Sequence, residues 1–119
     1  MPTSTTEQTL ATISRFNEAF NAHDVDRLMA LMTDDVIFEN TSPAPDGEHF
    51  TGQPAVRAFW LSFFAGSPQA HFDAEDVFAA EDRALVRWRY SWGSGHVRGV
   101  DVFAVRDGKV SQKLSYVKG

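Results

Sequence analysis

The sequence predicts an α+β fold in which helices cover one face of a curved antiparallel sheet. Helical periodicity is confined to the stretch before Gly66, where one short strand interrupts it. From residue 70 onward, apolar and polar residues alternate between turn signals. The resulting order α-α-β-α-β-β-β-β is typical of a helix layer packed on a meandering sheet. The strand "RGVDVFAV", residues 98–105, is apolar on both faces, which indicates that both faces of the sheet are covered.

The N-terminal part of the chain predicts two helices. Ser4 and Glu7 match a capping box, and Leu10, Ile13 and Phe20 then recur at helical spacing in a first amphipathic helix. After this helix, Asp24 is suited to cap a short second one, because its side chain can accept a hydrogen bond from a free N–H group.

A third helix carries the strongest helical signal in the chain. Pro54 fits its first turn, and Gly66 and Pro68 end it. Between them the large apolar residues fall at positions i, i+3, i+4, i+7 and i+8, namely Val56, Phe59, Trp60, Phe63 and Phe64.

Five strands are predicted, at residues 36–40, 70–80, 83–92, 96–106 and 109–117. The segment "TSPAPDG", residues 41–47, is predicted as a loop, because it combines two prolines with an Asp-Gly turn. The pair Asp107-Gly108 predicts a tight hairpin between the last two strands.

Strand alternation predicts which side chains face the helices. One face of the second long strand carries Val86, Trp88 and Tyr90, and one face of the third carries Gly99, Asp101, Phe103 and Val105. The last strand is ambiguous. Alternation favours Val110, Leu114 and Tyr116 toward the core, but the opposite facing, with Ser115 toward the core and Leu114 and Tyr116 outside, stays open.

Composition bounds the class of protein. The 119 residues suffice for one domain, and a net charge of −5 without clustered Lys or Arg argues against nucleic-acid binding. The absence of Cys excludes disulfides and thiolate chemistry. No apolar run approaches membrane length and no signal-peptide core is seen, so the sequence predicts a cytoplasmic protein without membrane partners. The four His residues lack metal-ligand spacing, so neither a metal nor another cofactor is predicted.

Asp101 is the residue that the strand pattern does not explain. Strand interiors disfavour Asp, so a carboxylate between Gly99 and Phe103 needs a compensating reason. Either it faces a pocket whose apolar walls raise its pKa, or it lies at a wet or hydrogen-bonded point of the sheet. The sequence favours the pocket.

Three stretches resemble a known family. The stretches "FNAHDVDRLMALMTDDVIFEN", "FTGQPAVRAFW" and "VDVFAVRDGKV" resemble the ketosteroid isomerase and SnoaL-like polyketide cyclase branch of the nuclear transport factor two-like superfamily. The resemblance spans about residues 8–118 and implies one domain over residues 1–119. It implies a cone-shaped domain with three N-terminal helices on a strongly curved, mostly antiparallel sheet that encloses an apolar pocket. It also implies a homodimer through the outer sheet face.

The family's catalytic positions are only partly present. In ketosteroid isomerases an Asp base moves the proton, while a Tyr and a protonated Asp hold the oxyanion. The resemblance places Asp101 at the protonated Asp, Asn40 at the base and Phe16 at the Tyr. An amide is no base and Phe has no donor, so the steroid isomerase reaction is not expected. The related limonene epoxide hydrolase pattern also fails, because Ser115 stands where its last Asp would be.

We therefore predict Asp101 and Asn40 as catalytic residues, although Asn40 could equally cap a turn. The predicted substrate-binding residues are Phe16, Phe20, Phe38, Phe59, Phe63, Trp88, Tyr90, Phe103 and Ser115.

Two classes of function stay open. The first is a cofactor-independent acid–base isomerase, cyclase or lyase that acts on an apolar carbonyl compound, and the SnoaL-like cyclases favour it because a sheet carboxylate is their acid and base. The second is a non-catalytic small-molecule-binding or dimeric assembly domain. The predicted partners are a hydrophobic small molecule and a second copy of the chain, the latter through the face that carries Val100, Val102, Leu114 and Tyr116.

Overall fold

The computed structural model describes residues 5–118, which form three helices and six strands. In chain order the elements are α1 (Thr5–Asn21), α2 (Val25–Ala30), β1 (Met32–Glu39), β2 (His49–Thr51), α3 (Gln53–Gly66), β3 (His71–Ala80), β4 (Arg83–Ser91), β5 (His96–Arg106) and β6 (Lys109–Val117).

All six described strands belong to one curved sheet with the order β2-β1-β6-β5-β4-β3. Neighbouring strands are antiparallel except β1 and β6, which pair in parallel. The predicted α+β class is confirmed: three helices pack on a mostly antiparallel sheet.

The observed ends of the helices and strands show which local sequence signals predict an element correctly. Asp24 caps α2, because its side chain accepts a hydrogen bond from the Arg27 N–H group at 3.1 Å. The capping box at Ser4 lies outside the described residues. Strand β2 was not predicted, since a segment of three residues is too short to show alternation.

The helix-facing side of the sheet holds the core. Val86 and Trp88 of β4 are buried there, as the alternation predicts, together with Phe103 of β5. Trp60 of α3 is also buried, and its indole ring stacks on Phe38 of β1 and meets Phe20 of α1 edge-on. Burial of these large apolar side chains is the main favourable term in the stability of the domain.

A β-bulge decides which way the last strand faces. Val105 pairs with Val110, but Ala104 pairs with Gln112, so β6 contains one extra residue, Ser111. The extra residue reverses the phase of alternation. Val110 therefore faces the core, and so does Lys113, three positions later.

The bulge settles the facing that the sequence left open. Ser115 borders the interior cavity described below. Leu114 is half-buried and Tyr116 is 52% exposed on the outer face. Alternation alone is therefore wrong for Leu114 and Tyr116, because it assumes a strand without an inserted residue.

No helix within residues 5–118 combines the length and the apolar character that crossing a membrane requires.

Candidate functional site

A cavity of about 330 Å³ lies between the helices and the concave face of the sheet. Its walls are mainly aromatic and come from α1, α3 and the sheet. Edge-to-face and stacked contacts hold these rings in place; Phe38, for example, stacks on Trp60 with ring centroids 5.1 Å apart. An apolar cavity with a few polar groups is the usual form of a small-molecule site.

The structure brings nine of the predicted site residues into the lining of this cavity: Phe20, Phe38, Asn40, Phe59, Phe63, Trp88, Tyr90, Asp101 and Ser115. Six further residues line it that the sequence did not single out as site residues: Thr41, Ser42, Trp60, Phe72, Val97 and Lys113.

Two predicted lining residues lie elsewhere. Phe16 and Phe103 are each 1% exposed and pack against one another, with ring centroids 5.6 Å apart, outside the cavity lining. Phe103 shares a strand face with Asp101 but lies two residues farther along β5, where α1 covers it. Both belong to the core, so the structure does not bring these two predicted substrate-binding residues into the lining of this cavity.

Asp101 lies at the sheet wall of the cavity and is 1% exposed. Its neighbours across the sheet are Val86 on β4 and Ser115 on β6. Neither carboxylate oxygen has a hydrogen-bond partner among the described residues. A buried carboxylate without such partners is costly. The indole N–H groups of Trp60 and Trp88, which also line the cavity, are likewise buried without a hydrogen-bond partner among the described residues.

Lys113 supplies the charge that faces Asp101. Its Nζ atom lies 3.2 Å from Oδ2 of Asp101, and its side chain is only 8% exposed. The same Nζ atom donates a hydrogen bond to Oγ of Ser115 at 3.0 Å and lies 4.8 Å from the ring centroid of Phe38. The sequence interpretation expected apolar surroundings for Asp101. The structure differs, because a buried ammonium group lies beside the carboxylate.

The inward facing of Lys113 was not predicted from the sequence, because Lys113 follows the bulge at Ser111. Without the bulge, alternation places Lys113 on the side opposite Val110, where a lysine needs no explanation. The available signal was Ser115, which shares the face of Lys113 by strand alternation. Accepting Ser115 as a site residue requires that Lys113 face the cavity as well.

Asn40 lies at the rim of the cavity and also stabilises a loop. Its Oδ1 atom accepts a hydrogen bond from the N–H group of Glu48 at 2.7 Å, and its own N–H group donates to the carbonyl of Glu48 at 3.0 Å. Gly47 has φ +73° and packs so closely against Asn40 that a Cβ atom there would collide with its backbone. The turn-capping role of Asn40 is thus present, together with a place in the cavity lining.

A larger depression, of about 480 Å³, lies on the outer face of the sheet and includes the exposed ion pair between Arg98 and Glu75, at 2.9 Å. Unlike the interior cavity, its described lining has no aromatic ring apart from that of Tyr116. Among residues 5–118 no cluster of His, Cys, Asp or Glu is placed to hold a metal ion.

The fold and its interior cavity define a nuclear transport factor two-like α+β domain. The sequence matches the family model of the SnoaL-like domain over residues 13–113, so the chain belongs to the SnoaL-like family. The family resemblance drawn from the sequence is thereby confirmed.

Solved structures agree with this assignment. A nuclear transport factor two-like protein of unknown function from Mesorhizobium loti is 41% identical, with a TM-score of 0.86 over 100% of this chain and 98% of that one. A proposed ketosteroid isomerase from Kribbella flavida is 23% identical, with a TM-score of 0.84 over 98% of this chain and 82% of that one. A proposed polyketide cyclase from Sinorhizobium meliloti is 18% identical, with a TM-score of 0.77 over 88% of this chain and 93% of that one. The last two likenesses show the fold alone. No match was found among curated proteins.

Proposed function

We propose that this SnoaL-like domain is a cofactor-independent acid–base enzyme that acts on an apolar carbonyl compound, with Asp101 as the group that moves the proton. The observation that carries the proposal is a buried carboxylate with no hydrogen-bond partner among the described residues, at the wall of an aromatic cavity. A carboxylate of this kind can accept a proton from a ligand held against it.

The elementary step is enolisation. The Asp101 carboxylate takes a proton from the carbon next to the carbonyl group, and the electrons of that C–H bond form a C=C bond. The carbonyl π electrons move to the oxygen, which becomes an enolate. Return of the proton to the same carbon gives only hydrogen exchange, whereas its delivery to a different carbon of a conjugated enolate moves the double bond and completes an isomerisation. Attack of the enolate carbon on a second carbonyl group gives a cyclisation, in which the new alkoxide oxygen takes the proton back from Asp101. Neither outcome needs an oxidant or reductant.

Deuterium exchange tests the step that all these reactions share. Methyl 2-naphthyl ketone has an aromatic body suited to the cavity and three exchangeable hydrogens beside its carbonyl group. In D₂O the protein should speed loss of the methyl signal in the proton NMR spectrum. Because a positioned general base contributes about 10²–10⁴-fold, Asp101→Asn should slow the protein-dependent exchange about a hundredfold or more.

The matched control is Asp76→Asn, which makes the same chemical change at an exposed position of β3. It should exchange at the wild-type rate. Equal rates for wild type and Asp101→Asn, or no acceleration by the wild type over buffer, would contradict the proposal.

A second candidate function is a non-catalytic small-molecule-binding domain. The hydrogen bond from Glu48 to Asn40 favours it, since the residue at the family's base position is used to hold a loop. The same cavity would then bind its ligand without turnover, and the exchange assay separates the two candidates.

We also propose that the chain forms a homodimer through the outer sheet face. Tyr116 is 52% exposed there and pairs across the strands with Val100, while the neighbouring cross-strand pair is Leu114 and Val102. These three neighbours are only half-buried. These four side chains form an apolar patch that is bordered by charged residues such as Arg87 and Arg98. An apolar patch with a polar rim is typical of a protein–protein interface.

A further inference from the structure

The charged side chains of the cavity lining are one anion and one cation. Among the described lining residues, Asp101 and Lys113 carry opposite charges 3.2 Å apart, and the remaining side chains are aromatic, aliphatic or uncharged polar groups. The interior is therefore electrically neutral before a ligand enters. Because both side chains are more than nine-tenths buried, water screens this balance weakly.

Lys113 keeps hydrogen-bonding capacity for a ligand. An ammonium group has three N–H donors, and one of them is used by Oγ of Ser115. The contact with Asp101 lacks hydrogen-bond geometry, since both carboxylate oxygens are without a hydrogen-bond partner among residues 5–118. The ring faces of Phe38 and Trp60, at 4.8 and 5.7 Å from Nζ, accept no conventional hydrogen bond.

We propose that Lys113 holds the carbonyl oxygen of a neutral apolar ketone, and that its ion pair with Asp101 makes the cavity select such ketones against carboxylates. The inference deepens the proposed function and rests on it for the role of Asp101. A ketone brings no charge, its oxygen accepts a hydrogen bond from the ammonium group, and its apolar body fills the aromatic part of the cavity.

A carboxylate ligand lacks this fit. Its negative charge would meet the Asp101 carboxylate as well as Lys113, and the described lining holds no second cation to balance it. An uncompensated buried charge is expensive. The Asp101–Lys113 ion pair thus favours neutral ligands over anionic ones.

The same spacing suits enolisation. The proton that leaves and the oxygen that gains charge are separated by only a few bonds, and the two protein groups that would meet them are 3.2 Å apart. As the proton moves to Asp101, the negative charge moves to the enolate oxygen. Lys113 lies beside both positions, so one cation faces the negative charge before and after the transfer.

The test compares three ligands with the same naphthalene ring by isothermal titration calorimetry. Methyl 2-naphthyl ketone has the neutral oxygen, 2-naphthoate has the charge, and 2-ethylnaphthalene has neither. The wild type should bind the ketone about tenfold or more tightly than either other ligand, because a hydrogen bond to a charged donor is worth about 1.5–3 kcal/mol. Lys113→Met should lose the advantage of the ketone over 2-ethylnaphthalene, whereas Lys109→Met, at an exposed position of the same strand, should keep it.

Asp101→Asn should reverse the charge preference. Lys113 is then an unbalanced cation, so 2-naphthoate should bind about tenfold or more tightly than it binds the wild type. The double variant Asp101→Asn/Lys113→Met carries no buried charge, and it should bind the ketone and 2-ethylnaphthalene alike even if Lys113→Met alone fails to fold.

Three results would overturn the inference: wild-type protein that binds none of the ligands, wild-type protein that binds 2-naphthoate as tightly as the ketone, or a ketone advantage that persists in the double variant. Ketone selectivity without deuterium exchange would support the role of Lys113 and refute the proposed chemistry. Exchange together with a ketone advantage that Lys113→Met retains would refute only the role of Lys113.

Discussion

Gly99 of β5 packs directly against the indole ring of Trp88 on β4. A Cβ atom at position 99 would lie 2.5 Å from Cζ2 of Trp88 and would also collide with the backbone carbonyl of Tyr116. Trp88 can therefore occupy this place in the cavity wall only because residue 99 has no side chain. The Gly99–Trp88 contact joins the architecture of the sheet to the shape of the site.

Gly99→Ala should destabilise the domain by about 1–3 kcal/mol, since the added methyl group must displace a buried ring or a strand. Urea unfolding followed by circular dichroism measures the effect. Gly66→Ala is the matched control, because nothing lies within 4 Å of a Cβ atom at the end of α3. The control should be neutral or slightly stabilising. Equal stability of wild type and Gly99→Ala would show that Trp88 is not fixed by this contact.

The sequence was sufficient for the helices and for the inner face of β4, because the signals involved are local. The helical spacing of Val56, Trp60 and Phe64 and the cap at Asp24 act within a few residues. The phase of β6 could not be predicted in this way. The bulge at Ser111 arises from the pairing of β6 with β5, which is not local in the sequence.

The candidate site was predicted in part for the same reason. Alternation on an uninterrupted strand placed Asp101 toward the helices, and the family resemblance matched it to the protonated Asp of the ketosteroid isomerases. The partner charge was missed, because Lys113 reaches the interior only through the reversed phase of β6. Phe103 was assigned to the pocket from its strand face, which does not show how far along the strand a cavity extends. Phe16 stands where the resemblance places the family's Tyr, but in this chain it packs on Phe103 in the core.

The buried ion pair should show strong energetic coupling. Removing one partner leaves the other charge buried and uncompensated, which costs about 3–5 kcal/mol. Lys113→Met and Asp101→Asn should therefore each destabilise the domain, while the double variant should recover most of the loss. Urea unfolding of the four proteins gives the coupling free energy. Additive effects of the two changes would contradict a direct interaction.

An exposed ion pair should make a small pH-dependent contribution to stability. Arg106 donates a hydrogen bond to Oδ1 of Asp35, and this bond lowers the pKa of the Asp35 carboxyl below its ordinary value. Since the folded-state pKa is the lower one, the contribution is present above the unfolded-state pKa of about 3.9 and is lost as the pH falls through the folded-state value.

Arg106→Gln should raise the pKa of Asp35 toward its ordinary value in a carboxyl NMR titration. The stability difference from wild type should shrink in acid and at high salt. Arg83→Gln, an exposed change on β4, serves as the control and should leave the Asp35 titration unchanged. An unchanged Asp35 pKa in Arg106→Gln would refute the role of the pair.

Assembly through the outer sheet face is open to a direct test by sedimentation velocity. At micromolar concentration, the mass derived from the sedimentation of the wild type should be twice the 13.3 kDa mass of one chain. Tyr116→Asp should shift the equilibrium to the monomer, because it places a charge in the apolar patch. Leu61→Asp changes an equally exposed residue, 53% exposed, on α3 and should remain dimeric. A monomeric wild type would exclude this interface.

The most direct measurement is a crystal structure of the protein with methyl 2-naphthyl ketone bound. We expect the naphthalene ring between Phe38, Phe59 and Trp88, with the carbonyl oxygen about 3 Å from Nζ of Lys113. The methyl carbon should lie about 3–3.5 Å from a carboxylate oxygen of Asp101, the distance of a reactive arrangement. A ketone bound in the outer-face depression beside Arg98, or bound inside with its oxygen turned away from Lys113, would contradict the account.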